Sequence, residues 1–168
     1  MGWRAQFDCE IPDKCIICVA PHTSNWDFII GIIFKQAYKL EANFFIKKEW
    51  FNFPFGKIIR SLGGVPIWRD TQNSTTDLMA KAFSEQKTLR LAITPEGTRK
   101  YNSEWKKGFY YIAFKAQVLI VLVSLDYKKK LIHVGKLFAP TGDIEKDIVE
   151  IKKFYSNITA KFPYKFSL

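Results

Sequence analysis

Short apolar runs alternate along this chain with longer segments of helical periodicity, and this alternation restricts the fold more than any other feature. The apolar runs are short and partly β-branched, as is typical of strands buried inside a layered sheet. Strands are predicted over residues 14–20, 42–46, 65–68, 88–93, 118–125 and 130–134. Helices are predicted over residues 28–40, 75–86, 108–116 and 147–160, with a helix-like segment over 47–62 that Pro54 and Gly56 interrupt. The sequence therefore predicts an α/β fold, a layered central sheet of mostly parallel strands flanked by helices, in a single domain over residues 1–168.

Polar side chains follow two of the predicted strands. His22 and Asp27 come after the strand over 14–20, and Glu96-Gly97-Thr98-Arg99 comes after the strand over 88–93. Ligands of α/β sheets bind at the carboxyl ends of the strands. An imidazole near a carboxylate is suited to proton transfer, and an arginine beside a glycine turn is suited to binding an anion. Together the two blocks predict an enzyme that deprotonates a hydroxyl on an anionic substrate.

Each block also has a simpler interpretation. Asp27 or Asn25 can be a plain N-cap of the helix that follows. At about 100° per residue in a helix, His22 and Asp27 meet only if residues 23–25 form a turn. Residues 95–98, Pro-Glu-Gly-Thr, can be an ordinary turn.

Three blocks of the sequence resemble those of one enzyme family. Residues 22–27, His-Thr-Ser-Asn-Trp-Asp, resemble the His-x4-Asp motif of the glycerolipid acyltransferase superfamily, the lysophosphatidate acyltransferase type. Residues 96–99 match its Glu-Gly-Thr-Arg block, and residues 63–69 resemble its Gly-x-x-x-Ile-x-Arg block. A fourth family block, an apolar strand with prolines, falls on residues 118–123, where Leu119 and Leu122 stand in place of prolines. That departure bears on acyl-chain specificity more than on activity.

The resemblance implies a mechanism and a set of site residues. His22 is the general base on an acceptor hydroxyl, and Asp27 holds its tautomer and stabilises the imidazolium. The remaining implied residues bind the acceptor: Arg69 and Arg99 at its phosphate, with Glu96, Gly97 and Thr98 shaping the site. The implied donor is an acyl thioester, acyl-CoA or acyl-carrier protein, and the implied acceptor is a lysophospholipid such as 1-acylglycerol 3-phosphate. No metal and no bound cofactor are implied.

Two alternatives concern the partners of the chain. The acceptor can be another alcohol, such as an amino-acid lipid or a glycolipid. The chain has 26 Lys and Arg against 16 Asp and Glu, a net charge of +10, together with 15 Phe and 5 Trp. Basic and aromatic residues together fit an anionic membrane surface, and they also fit a module that binds single-stranded nucleic acid. No nucleic-acid recognition motif is present, so no nucleic-acid partner is expected.

Membrane contact is predicted at the basic and aromatic segment over residues 47–60. The residues expected to reach the lipid are Trp50, Phe53 and Phe55, with Lys48, Lys57 and Arg60 near the phosphates. No apolar run approaches the ~18 residues needed to cross a bilayer, and residues 1–10 have no signal-peptide core. The odd number of cysteines, 3, favours a reducing compartment. We therefore expect a cytoplasmic enzyme, peripheral on the inner face of the cytoplasmic membrane.

Overall fold

A seven-stranded sheet with helices on both faces forms the fold in the computed structural model, which describes residues 2–52, 56–67 and 75–168. The strands are β1 (Arg4–Phe7), β2 (Lys14–Ala20), β3 (Asn43–Lys47), β4 (Gly64–Ile67), β5 (Leu89–Ile93), β6 (Leu119–Asp126) and β7 (Leu131–Phe138). The helices are α1 (Asn25–Ala37), α2 (Gly56–Ser61), α3 (Thr75–Glu85), α4 (Gly108–Ala116) and α5 (Ile144–Phe154), with 3₁₀ turns at Lys48–Phe51 and Pro163–Lys165. No helix within the described ranges has both the length and the apolar character needed to cross a bilayer.

The order of the strands across the sheet is β1-β7-β6-β2-β5-β3-β4. Neighbouring strands are parallel except for β6 and β7, which are antiparallel. The predicted α/β fold with a mostly parallel sheet is therefore confirmed. β2 lies between β5 and β6 and runs in the same direction as both, so the carboxyl ends of these three strands lie side by side at one edge of the sheet.

The core has two parts, one on each face of the sheet. Alternate side chains of β2 enter different parts: Cys15 belongs to the cluster that includes Ile30 of α1, whereas Cys18 belongs to the cluster built with α3, α4 and α5. Ile30 is only 5% exposed, and burying such a side chain contributes about 1.5–3 kcal/mol. This contact anchors α1 against the sheet and leaves the opposite side of α1 facing outward.

Helix α1 begins earlier than the sequence predicts. It starts at Asn25 rather than at residue 28, because the Ser24 side chain caps it by accepting a hydrogen bond from the Trp26 amide. The prediction that Asn25 or Asp27 is the N-cap is therefore wrong. Asp27 is the third residue of the helix, and its carboxylate accepts a hydrogen bond from the backbone of Ser24, which completes a capping box.

Helix α5 is also displaced from its predicted range over 147–160. Asp143 caps the helix by accepting from the Lys146 amide, so the helix begins at Ile144. Asp147 is buried inside it and accepts a hydrogen bond from the Tyr110 hydroxyl. The helix ends before Tyr155, whose hydroxyl donates to the Cys18 carbonyl in the core at 2.8 Å.

The segment over 47–62 is not one interrupted helix. Its first residue ends β3, a 3₁₀ turn follows, and α2 begins at Gly56, while Pro54 lies outside the described residues. A Cβ on Gly56 would lie 2.0 Å from the Phe51 carbonyl oxygen, so only glycine fits this approach. Strand β1 has no counterpart in the prediction because it is a short, mostly exposed edge strand without an apolar run.

Candidate active site

The candidate site lies where β2, β5 and β6 end at a shared edge of the sheet. The chain leaves β2 through a cis Ala20–Pro21 peptide bond and reaches His22 directly after it. Glu96 lies three residues beyond the end of β5, and Tyr127 follows β6 immediately. Ligands of α/β sheets usually bind at the carboxyl ends of parallel strands. Here these ends bring together side chains from three distant parts of the sequence.

His22 and Asp27 form a pair at the start of α1. The distance from His22 Nδ1 to Asp27 Oδ2 is 3.3 Å, and the two side chains are 20% and 3% exposed. The residues between them do form a turn, because the Thr23 and Ser24 amides both donate to Asp27 Oδ2 at 2.7 Å. Since Nδ1 faces Asp27, the other ring nitrogen, Nε2, is the one left to receive a proton from a substrate.

Asp27 combines the two interpretations that its position in the sequence allows. It belongs to the capping box of α1, and it also contacts the imidazole of His22. Burial alone would raise the pKa of the Asp27 carboxyl, but the hydrogen bonds from His22, Tyr127, Ser24 and Thr23 outweigh burial and lower it. The carboxylate is therefore held ionised beside the ring, as a residue that orients and stabilises an imidazolium must be.

Tyr127 is a site residue that the sequence blocks do not contain. Its hydroxyl donates to Asp27 Oδ1 at 2.5 Å, and burial together with this carboxylate raises the pKa of the hydroxyl. The signal that could have found it is its place after β6, a buried parallel strand next to β2. Its partner is 100 residues away in the sequence, so no local spacing indicates the contact.

Glu96 joins the second block to the first. Its Oε1 accepts a hydrogen bond from the His22 amide at 2.7 Å, and the residue is only 3% exposed. Burial raises the pKa of its carboxyl, partly offset by the hydrogen bonds from the backbone of Glu96 itself and of His22. Its other oxygen, Oε2, has no hydrogen-bond partner within the described part of the chain. Glu96 thus supports the backbone of His22, whereas its role in shaping the acceptor site stays a prediction.

The remaining residues of the second block form an exposed turn. Gly97 has a φ of +65°, and a Cβ there would lie 2.9 Å from Lys106 Cγ, so glycine is favoured on two grounds. The Thr98 hydroxyl accepts from the Lys100 amide at 3.2 Å. Arg99 is exposed and pairs with no carboxylate among residues 2–52, 56–67 and 75–168, while Arg69 lies outside those ranges.

The last segment of the chain passes next to this pair. The Thr159 carbonyl accepts from the Tyr127 amide at 2.9 Å, and the Phe162 amide donates to Thr23 Oγ1 at 3.2 Å. The ammonium of Lys161 lies 5.0 Å from the centre of the Trp26 ring and 5.8 Å from that of Tyr127. The residues from 159 to 162 therefore contact the segments that follow β2 and β6, which carry the pair and its tyrosine.

Other titratable residues of the described ranges form no comparable site. His133, the second of the two histidines, lies on β7, and its Nε2 is 2.6 Å from Asp8 Oδ2. Within the described ranges, no three His, Cys, Asp or Glu side chains are grouped in a way that could hold a metal ion. The arrangement around His22 is that of a base oriented by a carboxylate at the positive N-terminal end of a helix, which can deprotonate a hydroxyl and stabilise developing negative charge.

Comparison with known proteins assigns the chain to a family. The family model described as Acyltransferase matches residues 6–126, which is more than half of the chain. Human 1-acyl-sn-glycerol-3-phosphate acyltransferase beta is 31% identical over 99 residues, which are 55% of this chain and 36% of the human protein. This chain thus aligns with about a third of the length of that relative.

A solved structure of an acyltransferase has a similar fold. The crystal structure of PlsC from Thermotoga maritima, a 1-acyl-sn-glycerophosphate acyltransferase, superposes with a TM-score of 0.60. The superposition covers 94% of this chain and 75% of PlsC, at 18% sequence identity, so it concerns the fold alone. The family match spans the edge of the sheet that carries His22, Asp27 and Glu96. The chain therefore belongs to the Acyltransferase family, as its three sequence blocks predict.

Proposed function

We propose that the protein transfers a fatty acyl group from an acyl thioester to the hydroxyl of a lysophospholipid such as 1-acylglycerol 3-phosphate. The observation that carries this proposal is the contact between His22 Nδ1 and the buried, ionised Asp27, which leaves Nε2 available as a base. The names of the human relative and of PlsC, both acyltransferases of an acylated glycerophosphate, support the choice of acceptor.

The reaction follows from the chemistry of the pair. His22 Nε2 takes the proton of the acceptor hydroxyl as the oxygen attacks the thioester carbonyl, and Asp27 stabilises the imidazolium that forms. The tetrahedral intermediate collapses with cleavage of the C–S bond. The proton on His22 then passes to the sulfur, so the products are an ester and a free thiol. The N-terminal end of α1, next to His22, favours the negative charge that develops on the carbonyl oxygen.

Arg99 is proposed to bind the phosphate of the acceptor together with Arg69. The proposal rests on the exposed guanidinium of Arg99, which has no carboxylate partner in the described ranges and follows the turn that carries Glu96. A guanidinium matches the oxygens of a phosphate with two parallel hydrogen bonds, which a lysine does not. Because Glu96 contacts the His22 amide, this turn is tied to the base.

The test is an acceptor screen with wild-type protein and the Arg99→Ala variant. Acyl-CoA and acyl-carrier protein serve as donors, and mass spectrometry detects the product formed from lysophosphatidate, amino-acid lipids, glycolipids and phosphate-free alcohols. We expect Arg99→Ala to raise KM for lysophosphatidate by about 10- to 150-fold, the effect of losing one hydrogen bond to a charged group. KM for the thioester should stay unchanged.

The control is Arg4→Ala, which removes an exposed arginine from edge strand β1. It should leave both KM values unchanged. Equal effects of Arg99→Ala on the acceptor and the thioester would identify a structural arginine. If wild-type protein acylates phosphate-free acceptors as fast as lysophosphatidate, the proposed acceptor class is wrong.

We further propose that the enzyme works as a peripheral protein on an anionic membrane surface, at the inner face of the cytoplasmic membrane. Its proposed acceptor and product are membrane lipids, and the net charge of +10 suits an anionic surface. Of the residues expected to reach the lipid, Phe53 and Phe55 lie outside the described ranges. In the described ranges, apolar side chains are exposed on the outer side of α1, where Trp26, Ile29 and Ile33 are 47%, 40% and 45% exposed.

Helix α1 is suited to contact the membrane, because its N-terminal end carries the candidate site. Asp27 is the only charged residue of α1 before Lys35, and it is buried, so the outer side of the helix is uncharged over its first ten residues. Ile58 of α2, from the segment predicted to touch the membrane, is 58% exposed beside the exposed Lys57. Exposed apolar side chains on helices that also carry lysines, as on α1 and α2, match the pattern of interfacial anchors.

Vesicle co-sedimentation tests the membrane proposal. Wild-type protein should pellet with phosphatidylglycerol vesicles at low salt and less at high salt, because salt screens the attraction of lysines to lipid phosphates. Changing Ile29 and Ile33 together to Ser should weaken partitioning about 30-fold, since each loses about 1 kcal/mol of apolar burial. The control is Val149→Ser, which alters a 54% exposed side chain on α5. Pelleting that is indifferent to lipid charge, salt and both variants would contradict the proposal.

A further inference from the structure

We propose that Tyr127 is a positioning residue of the His22–Asp27 pair: its hydroxyl holds the Asp27 carboxylate in the orientation that supports the imidazole. The inference rests on the proposed function, because it concerns the residues proposed to move the proton. Tyr127 belongs to none of the family-like sequence blocks, and it reaches the site only because β6 lies next to β2 in the sheet.

The hydrogen bonds of Asp27 are divided unequally between its two oxygens. Oδ2 accepts from the Thr23 and Ser24 amides and faces the ring of His22, whereas Oδ1 has Tyr127 as its partner. Asp27 is only 5% exposed, so water is a poor substitute for this partner. Without the hydroxyl, Oδ1 would be a buried acceptor without a donor, and the carboxylate would be held through Oδ2 alone, by the Thr23 and Ser24 amides and His22.

The tyrosine ring is itself held in place from two sides. The Trp3 ring meets it edge to face, with ring centres 5.0 Å apart, and the Lys161 ammonium lies 5.8 Å from its centre. The backbone of Tyr127 is fixed by its hydrogen bond to the Thr159 carbonyl. A hydroxyl on a ring restrained in this way is suited to fixing the direction of a carboxylate, because little rotational freedom is lost when the bond forms.

The contact also has an electrostatic effect on the pair. The titratable groups that face Asp27 are His22, Tyr127 and Glu96, and the Lys161 cation lies beyond the tyrosine ring. The hydrogen bond from Tyr127 contributes to the lowered pKa of the Asp27 carboxyl. Removing the hydroxyl therefore raises the pKa of the Asp27 carboxyl and weakens the preference of the site for its ionised form.

The first experiment compares two Tyr→Phe variants that each delete one hydroxyl that donates to a buried aspartate. Tyr127→Phe should lower kcat for acyl transfer by about 10- to 100-fold, as expected for losing one hydrogen bond to a charged group. KM for both substrates should be unchanged. The control is Tyr110→Phe. The Tyr110 hydroxyl donates to Oδ2 of the buried Asp147 at a distance of 2.7 Å, and neither residue belongs to the candidate site. It should lower thermal stability but leave kcat and both KM values unchanged.

The second experiment asks whether Tyr127 acts through Asp27. Tyr127→Phe is combined with Asp27→Asn, which removes the charge that the hydroxyl stabilises, and residual activity is followed over long incubations. We expect Tyr127→Phe to have no further effect on kcat in that background, because the two changes disable the same function. An equal slowing in both backgrounds, or no slowing in the wild-type background, would overturn the inference. If Asp27→Asn alone keeps the full rate, it is the proposed function that fails, and this result separates the two.

Discussion

Replacing His22 by alanine should lower the rate of acyl transfer by about 10²–10⁴-fold, the usual contribution of a general base. The ring of His22 is 20% exposed and lies against Asp27. The fold should survive its loss, because Asp27 keeps its hydrogen bonds from the Thr23 and Ser24 amides and from Tyr127, and the amide of residue 22 still donates to Glu96. The measurement is kcat at saturating lysophosphatidate and thioester, with thermal unfolding recorded on the same samples.

The matched control is His133→Ala. His133 lies on β7, next to the edge strand β1, and pairs with Asp8 rather than with any residue of the candidate site. We expect this variant to keep the wild-type rate. Near-full activity of His22→Ala, with His133→Ala as a reference, would show that His22 is not the base.

Asp27→Asn is expected to lower both the rate and the stability, because the carboxylate serves the base and the helix at once. An amide can present a donor or an acceptor to His22, so the ring can adopt the wrong tautomer, and losses of up to ~10⁴-fold occur when a paired carboxylate is replaced in this way. The capping box of α1 loses its charged acceptor in the same variant. Activity measurements and thermal unfolding report these two effects separately.

The stability effect of Asp27 has a definite pH dependence. The pKa of its carboxyl is lower in the folded protein than its ordinary value, so folding favours the ionised form. Its contribution to stability is therefore complete above the ordinary pKa of about 3.9 and is lost as the pH falls through the lowered folded value. Asp27→Asn should remove this part of the acid sensitivity and leave a smaller difference from wild type at low pH than at neutral pH.

The control for the stability effect is Asp143→Ala, which removes the side-chain cap of α5, a helix that carries no residue of the candidate site. Asp143 accepts from the Lys146 amide, so its replacement should also weaken a helix start. The rate of acyl transfer should be unchanged. A rate that falls as much as for Asp27→Asn would mean that activity follows stability and that Asp27 has no direct role.

Strand β2 and helix α1 mark how far the sequence alone could predict the structure. β2 has the predicted bounds, because a short apolar run between polar residues leaves little freedom in where a buried strand begins and ends. The start of α1 differs from the prediction because three nearby residues, Ser24, Asn25 and Asp27, can all cap a helix, and only the observed hydrogen bonds distinguish them. Element type thus followed from periodicity, whereas the boundaries depended on individual caps.

The candidate site shows the same division. The turn between His22 and Asp27 was predictable, because the short polar residues between them, Thr, Ser and Asn, form turns readily. Two further contacts could not be predicted: that of Glu96 with the His22 amide and that of Tyr127 with Asp27. Both depend on which strands are neighbours in the sheet. Spacing along one sequence carries no information on strand order.

The sequence separations at this site have a consequence for folding. The contacts of residues 22–27 with Glu96, Tyr127 and Phe162 close loops of 74, 100 and 139 residues. Such non-local contacts form late, after the loop entropy has been overcome, and they form together with the centre of the sheet. No short fragment of the chain can hold the complete arrangement. We therefore expect acyl-transfer activity to be lost on unfolding together with the centre of the sheet.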